Sequence, residues 1–244
     1  MKKILIVESK LLARDWLAAA ITLVLPVGLL LILGQIPALR EPSPELGGQR
    51  FVDAQLPAQM ILLALLTTAF TVLPGAMTAY REQGVLRRMS TTPMHPARLL
   101  GAQLLLNLAL ALLGAVLVIL AGWLVLGSRL PEQLLGFLLV FLLGAAAMLA
   151  LGLVIAAVAP NSKAAPGIGS VTMFPLLFVA GMWIPREIMP DALRTISDYS
   201  VVGPFINAMR DTWAGGWPQL PHLAVMVAGL ALFGGLAVRL FKWE

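Results

Sequence analysis

The 244-residue sequence contains no cysteine, which removes disulfides, thiolate metal sites and a cysteine nucleophile together. Charge is also scarce. Only 12% of residues are Asp, Glu, Lys or Arg, against about 25% in soluble domains. No polar stretch is long enough to build a soluble domain of any size. No G-x-x-x-x-G-K-[ST] phosphate-binding loop occurs, and none of the five lysines has that context. Histidine is represented by His95 and His222 alone, far apart in the chain, which does not make a metal site. Basic residues outnumber acidic ones, 17 to 12, and no nucleic acid is needed to explain this, because positive charge facing anionic lipid is sufficient.

What is abundant is apolar sequence. The chain is 59% hydrophobic with a mean hydropathy of +0.91, so it reads as an integral membrane protein. A helix needs about 20 mostly apolar residues to cross the hydrocarbon core. Stretches free of Asp, Glu, Lys and Arg lie at 16–39, 54–80, 99–128, 133–162, 164–185 and 212–238. They predict an all-α polytopic fold, one transmembrane domain over 1–244. Its six spans fall near 16–36, 58–80, 99–126, 134–158, 166–184 and 219–240. The fifth is broken up by Pro166, Gly167, Gly169, Pro175 and Gly181. The apolar piece after it, Tyr199–Met209, is too short to cross. Broken helices are tolerated at membrane depth only where protein covers them, so 185–218 reads as an exterior hairpin that dips in and returns. The start is basic, but the first apolar run is span-length and lacks a small-residue cleavage site, which predicts an anchor and not a removed signal peptide.

Lys and Arg set the orientation. With the N-terminus inside, eleven of the 17 basic residues and only four of the 12 acidic ones face the cytoplasm, which predicts that both termini are cytoplasmic. Trp16, Trp123, Trp183, Trp213, Trp217 and Trp243 all fall near predicted span ends, where an amphipathic ring prefers to sit. Over residues 2–16, Lys3, Lys10 and Arg14 share one helical sector and Leu5, Leu12 and Trp16 another, the pattern of a helix over 2–15 lying in the interface, with a disordered basic tail that only sets orientation as the alternative.

Between the second and third runs stands a short charged interruption, Arg81 to Pro93, opening the cytoplasmic loop 81–98. Read as a helix over 81–89, it places Glu82, Val85, Leu86 and Met89 on one side and Arg81, Gly84 and Arg88 on another. A glycine there permits close approach of another backbone. Pro93 and Pro96 end this helix and start the next. Such a patch suits docking to a partner, and an ordinary basic loop that only enforces topology fits equally well.

Glu82-x-Gly84, followed by Arg87-Arg88, Thr92-Pro93 and Leu99-Leu100-Gly101-Ala102-Gln103, resembles the first cytoplasmic loop of type-2 ATP-binding-cassette permeases, nearest the bacterial daunorubicin-resistance-like drug exporters. Glu8-Ser9-Lys10, Arg14-Asp15 and Pro26 are similar to that family's interfacial helix and first span. Phe174-Pro175-Leu176, Gly181, Ile184-Pro185, Met189-Pro190 and Asn207-Ala208-Met209-Arg210 are similar to its fifth span and re-entrant hairpin. The resemblance implies that the loop is a coupling helix entering a groove on a nucleotide-binding subunit, with Glu82, Gly84, Val85, Leu86, Arg88 and Met89 at the docking surface. It also implies a second permease, either another copy of this chain or a homologous permease, ATP and Mg held by the partner subunit, no cofactor on this chain, and a bacterial plasma-membrane location. The competing class is an ATP-independent polytopic enzyme or scaffold. Gly167-Ile168-Gly169-Ser170 faintly resembles an intramembrane serine protease, but a partner histidine at matching depth is lacking.

No Asp, Glu, Lys or Arg falls within the uncharged runs from which the spans are drawn, so none is available at membrane depth to couple transport to an ion. Thr67, Thr68, Thr71, Thr78, Gln103, Asn107, Ser170 and Thr172 are the polar groups there, expected to bond from helix to helix or to line a pathway. Gly152/Ala156 and Ala231/Gly235 are small-xxx-small pairs that permit close helix contact, within or between subunits. Outside, Arg186, Glu187, Asp191, Arg194 and Asp198 alternate in sign and are assigned to an exterior gate, with a solvated headgroup helix as the equal alternative.

Overall fold

The computed structural model describes residues 16–42, 48–85, 97–184, 186 and 189–240. Among these there is no strand, only an isolated antiparallel bridge between Pro42 and Arg50. The helices are α1 (Trp16–Leu33), α2 (Gln55–Thr67), α3 (Leu73–Glu82), α4 (Ala97–Ala121), α5 (Leu134–Val158), α6 (Ala164–Val179), α7 (Asp191–Tyr199), α8 (Val202–Trp213) and α9 (Leu220–Leu240). A π-helical turn, Thr68–Val72, joins α2 to α3 without a break, and a second, Gly122–Leu126, ends α4.

Four of these continuous helices are long and apolar enough to cross a membrane: Gln55–Glu82, Gly101–Leu126, Leu134–Val158 and Leu220–Leu240. Helix α6 has 16 residues, a length of about 24 Å against a hydrocarbon core of about 30 Å. It stops at Val179, short of the 184 predicted, because Gly181 takes a left-handed φ of 84°. There the Gly181 N–H reaches the Phe178 carbonyl and the Met182 N–H reaches Leu177, the paired bonds that close a helix end through glycine.

The core is organised by α2, whose residues Gln55–Leu66 are all buried. It is enclosed by α1, α4, α6 and α8, and α5 carries the remaining contacts to α3, α8 and α9. Large apolar side chains instead line the outside. Leu124, Leu135, Leu232 and Val238 are each more than half exposed. A water-soluble fold would bury such residues. A polytopic membrane protein presents them to lipid.

Helix α8 runs antiparallel along the first half of α5. The Gln133 N–H bonds the Thr212 carbonyl at one end, and Gly136 faces Thr212. Further along, Gly144 admits the Phe205 ring, a Cβ there lying 2.3 Å from it. Gly229 of α9 similarly makes room for Val201. Glycines on two helices thus seat the α7–α8 corner deep among α5, α9 and the π turn.

Trp213 departs from the interfacial role predicted for it. It is buried, its ring stands edge-on to Phe137 at 5.4 Å, and its indole N–H donates to the Arg129 carbonyl at 3.0 Å. Trp123, Trp183 and Trp217, by contrast, are exposed. The interfacial helix predicted at 2–15 and Trp243 lie outside the described residues.

Candidate functional site

Helix α3 ends at Glu82, and Gly84 follows at φ +66° with its N–H on the Arg81 carbonyl at 3.1 Å. That left-handed conformation is open to glycine at little steric penalty and closes the helix. The continuous 81–89 helix expected from the sequence is therefore interrupted at Gln83–Gly84, and Glu82 and Val85 do not share one helical face. Among the described residues nothing lies within 4 Å of where a Gly84 Cβ would stand, so there the turn, not a close backbone approach, accounts for the glycine. Leu86, Arg88 and Met89 lie outside the described residues.

The last two residues of α3 reach the same neighbouring turn, the one joining α5 to α6. The Arg81 guanidinium donates to the carbonyls of Ala156 at 3.4 Å, Ala157 at 3.5 Å and Ala159. Ala156 and Ala157 belong to the final turn of α5 and Ala159 is its C-cap, at the end where helix carbonyls lack partners along the helix and carry its negative dipole end. The Glu82 carboxylate accepts from the Ser162 N–H at 3.0 Å and from its hydroxyl at 2.5 Å. Ser162 lies two residues ahead of α6. Beside it the Asn161 side chain accepts from the Ala164 N–H at 2.8 Å, capping that helix. A cation on the carbonyl end of one helix and an anion at the amide end of the next make a charge pattern complementary to both dipoles. Ser162 was not among the residues the sequence singled out. Its only signal was the turn sequence Pro160-Asn161-Ser162, which says nothing about Glu82.

A second junction lies deeper. Pro74 lacks an N–H, so position 74 donates neither to Phe70 by the α pattern nor to Ala69 by the π pattern. Glycines meet these two carbonyls. A Cβ at Gly152 of α5 would fall 1.9 Å from the Ala69 oxygen, and one at Gly169 of α6 would fall 1.7 Å from the Phe70 oxygen. Helices α5 and α6 are thus joined to the continuous α2–α3 helix at its π turn by glycine-to-backbone contact, and to the end of α3 by Arg81 and Glu82. Gly152 is accounted for inside the chain, whereas Gly235 faces open space.

The intramembrane polar residues mostly satisfy themselves locally. Thr67 donates to the Leu63 carbonyl, Thr68 to Ala64, Thr78 to Pro74, Ser170 to Pro166 and Thr172 to Ile168, each four residues back. The Asn107 amide likewise reaches the Gln103 carbonyl. The helix-to-helix bonding expected of them is replaced by bonds within their own helices, the usual recourse of a short hydroxyl on a helix. Thr71 is half-buried on the π turn. Two glutamines do bond across segments: Gln59 donates to the Gly181 carbonyl at 2.9 Å and Gln103 to the Tyr80 hydroxyl at 3.3 Å.

Beside the π turn an apolar cleft of about 350 Å³ is lined by Phe70, Met148, Leu151, Val202, Gly229 and Phe233, with Tyr199 and Ser200 at its rim. At the opposite end of the bundle from Arg81, Arg186 pairs with Asp198 at 2.5 Å and Arg194 with Asp191 at 3.7 Å. Glu187 lies outside the described residues. Arg50 also stands at this end, bidentate on Asp53 at 2.7 and 3.0 Å and bonded to the Gly127 carbonyl at 3.0 Å. Burial pushes the Asp53 carboxyl up, but hydrogen bonds and charge from Arg50 outweigh it and hold the group below the usual carboxylate range.

The curated protein named "Putative transport permease YvfS", from Bacillus subtilis (strain 168), is 25% identical over 234 residues, covering 96% of this chain and 93% of that protein. No solved structure matches. The profile of the ABC-2 type transporter family matches residues 2–213, nearly the whole sequence, and the chain belongs to that family.

Proposed function

We propose that this chain is the membrane-spanning permease subunit of an exporter that moves a hydrophobic or amphipathic molecule, drug-like or lipid-like, across the bacterial plasma membrane. ATP is bound, with Mg, and hydrolysed by a separate cytoplasmic subunit. The observation that carries this reading is the Arg81 end of the bundle. A chain with no phosphate-binding loop presents there a charged segment at the end of α3 that bonds to the end of α5 and to the residue leading into α6. That arrangement suits a handle for force supplied from outside the chain. The coupling loop 81–98, with Gly84, Val85, Leu86, Arg88 and Met89, is where the ATPase subunit docks.

Two copies enclose the pathway. Support comes from Val171, Phe174 and Phe178, an exposed apolar strip at helical spacing on α6. The apolar cleft beside the π turn supports apolar cargo. The α7–α8 hairpin is the exterior gate, returning from mid-depth along α5, and both termini lie inside.

The test is affinity capture of the tagged permease from membranes co-expressing its cognate nucleotide-binding subunit. The wild-type chain should retain that ATPase, and Gly84→Trp, which places a bulky side chain at the handle, should lose it. If wild-type protein retains no ATPase, the reading fails.

A further inference from the structure

Arg81 and Glu82 are adjacent in sequence but engage opposite ends of one turn. Arg81 covers the carbonyl end of α5 through Ala156, Ala157 and Ala159, and Glu82 holds Ser162 just ahead of α6. Exposed polar contacts of this kind add little to global stability. Two of them on consecutive residues nevertheless fix both the distance and the rotation of the turn relative to the end of α3. Below them Gly152 and Gly169 hold α5 and α6 to the continuous α2–α3 helix at its π turn, so the three are joined at two levels.

We infer that Arg81 and Glu82 are positioning residues. They bind the α5–α6 turn, Ala159 to Lys163, to the end of α3, so that displacement of the coupling loop moves both turns as one body. The inference rests on the proposed docking of an ATPase at that loop, and it changes the part played by Glu82. Its carboxylate is engaged by Ser162 within the chain and acts through that turn. Force applied at 81–98 then reaches α5 and α6 together with α3, so the fifth membrane segment is moved directly by the loop after the second.

The absence of cysteine allows a clean test. Nitroxide labels are placed at Gln83→Cys and Pro160→Cys, both exposed positions, and distance distributions are recorded by pulsed electron resonance in lipid nanodiscs. In the permease alone, the otherwise wild-type pair should give one narrow distribution, and Glu82→Ala with Ser162→Ala should broaden it. In the complex with its ATPase, the distance should stay the same between nucleotide-free and vanadate-trapped states. The double substitution should there lower the ATP hydrolysis rate while the amount of ATPase retained is unchanged. Ser162→Ala alone, which leaves all backbone contacts in place, guards against misfolding and should broaden the distribution in the same sense.

An unaltered distribution in the substituted permease alone overturns the inference, with or without a partner. So does a wild-type distance that changes on vanadate trapping. Failure of the wild-type chain to retain any ATPase instead counts against the proposed function, leaving the permease-alone measurement to decide this point.

Discussion

A Cβ on Gly152 of α5 would stand 1.9 Å from the carbonyl oxygen of Ala69, which makes this the junction where the second and fourth long apolar segments meet backbone to backbone. Gly169 repeats the arrangement against Phe70 from α6. The contact exists because Pro74 cannot donate to the turn behind it, and because only a residue without a side chain can come close enough to cover the carbonyls left over. A backbone oxygen inside a helix has little freedom to retreat.

Gly152→Ala and Gly169→Ala should therefore each destabilise the fold by about 1–3 kcal/mol or more, the range for overpacking a close-packed site. Thermal unfolding in detergent measures it. Gly235→Ala, on a helix face with nothing within 4 Å, is the control and should stay within about 0.5 kcal/mol of wild type. Equal melting temperatures for all three would mean that the glycine contacts are not close.

Gly84 makes a different demand. Its surroundings are open, so side-chain size matters less than the left-handed backbone at φ +66°. Gly84→Asn should be tolerated better than Gly84→Val, because Asn visits that region and a β-branched residue does not. The expected penalty for Val is about 1–2 kcal/mol of local strain. ATPase retention by the two variants checks it: Asn should keep more partner than Val, although both add bulk to the same spot.

At the other end, Arg50 and Asp53 tie the segment before α2 to Gly127 at the end of α4. A carboxyl whose folded value lies below its ordinary 3.8 contributes stability above that pH and loses it as pH falls through the folded value. The tie therefore holds at neutral pH and releases in acid, below about pH 4. Its contribution is about 1 kcal/mol, kept small because Arg50 is partly exposed. Melting temperature against pH should fall more steeply for wild type than for Asp53→Asn between pH 5 and 3, about the ordinary carboxylate value. Parallel curves would remove the pair from the account of stability.

Much of this organisation could be read from sequence. Long runs without charge carry a strong and local signal, since each residue reports its own preference for an apolar medium. The described helices α1, α5 and α6 lie within those runs, and α2–α3, α4 and α9 overrun them by only two residues at one end. The charged interruption puts the end of the second run at 80, whereas the helix continues to Glu82 and is closed by the turn at Gly84, where the sequence pattern predicts a helix over 81–89. What local pattern does not encode is who meets whom. Nothing near Glu82 indicates a partner 80 residues away, and nothing near Gly152 distinguishes a contact inside the chain from one between copies. The threonines misled for a related reason. Sequence counts a hydroxyl as an unmet need, while a helix can satisfy it four residues back. Trp213 looked interfacial because hydropathy places it near a run's edge, yet Phe137 and the Arg129 carbonyl enclose it.

The most direct measurement is native mass spectrometry of the complex purified through a tag on this 26.0 kDa chain after co-expression with its cognate ATPase. The predicted result is one assembly holding two copies of this chain and two of the nucleotide-binding subunit. A permease that flies alone, with no nucleotide-binding subunit at any lipid or detergent condition that preserves its fold, would contradict it.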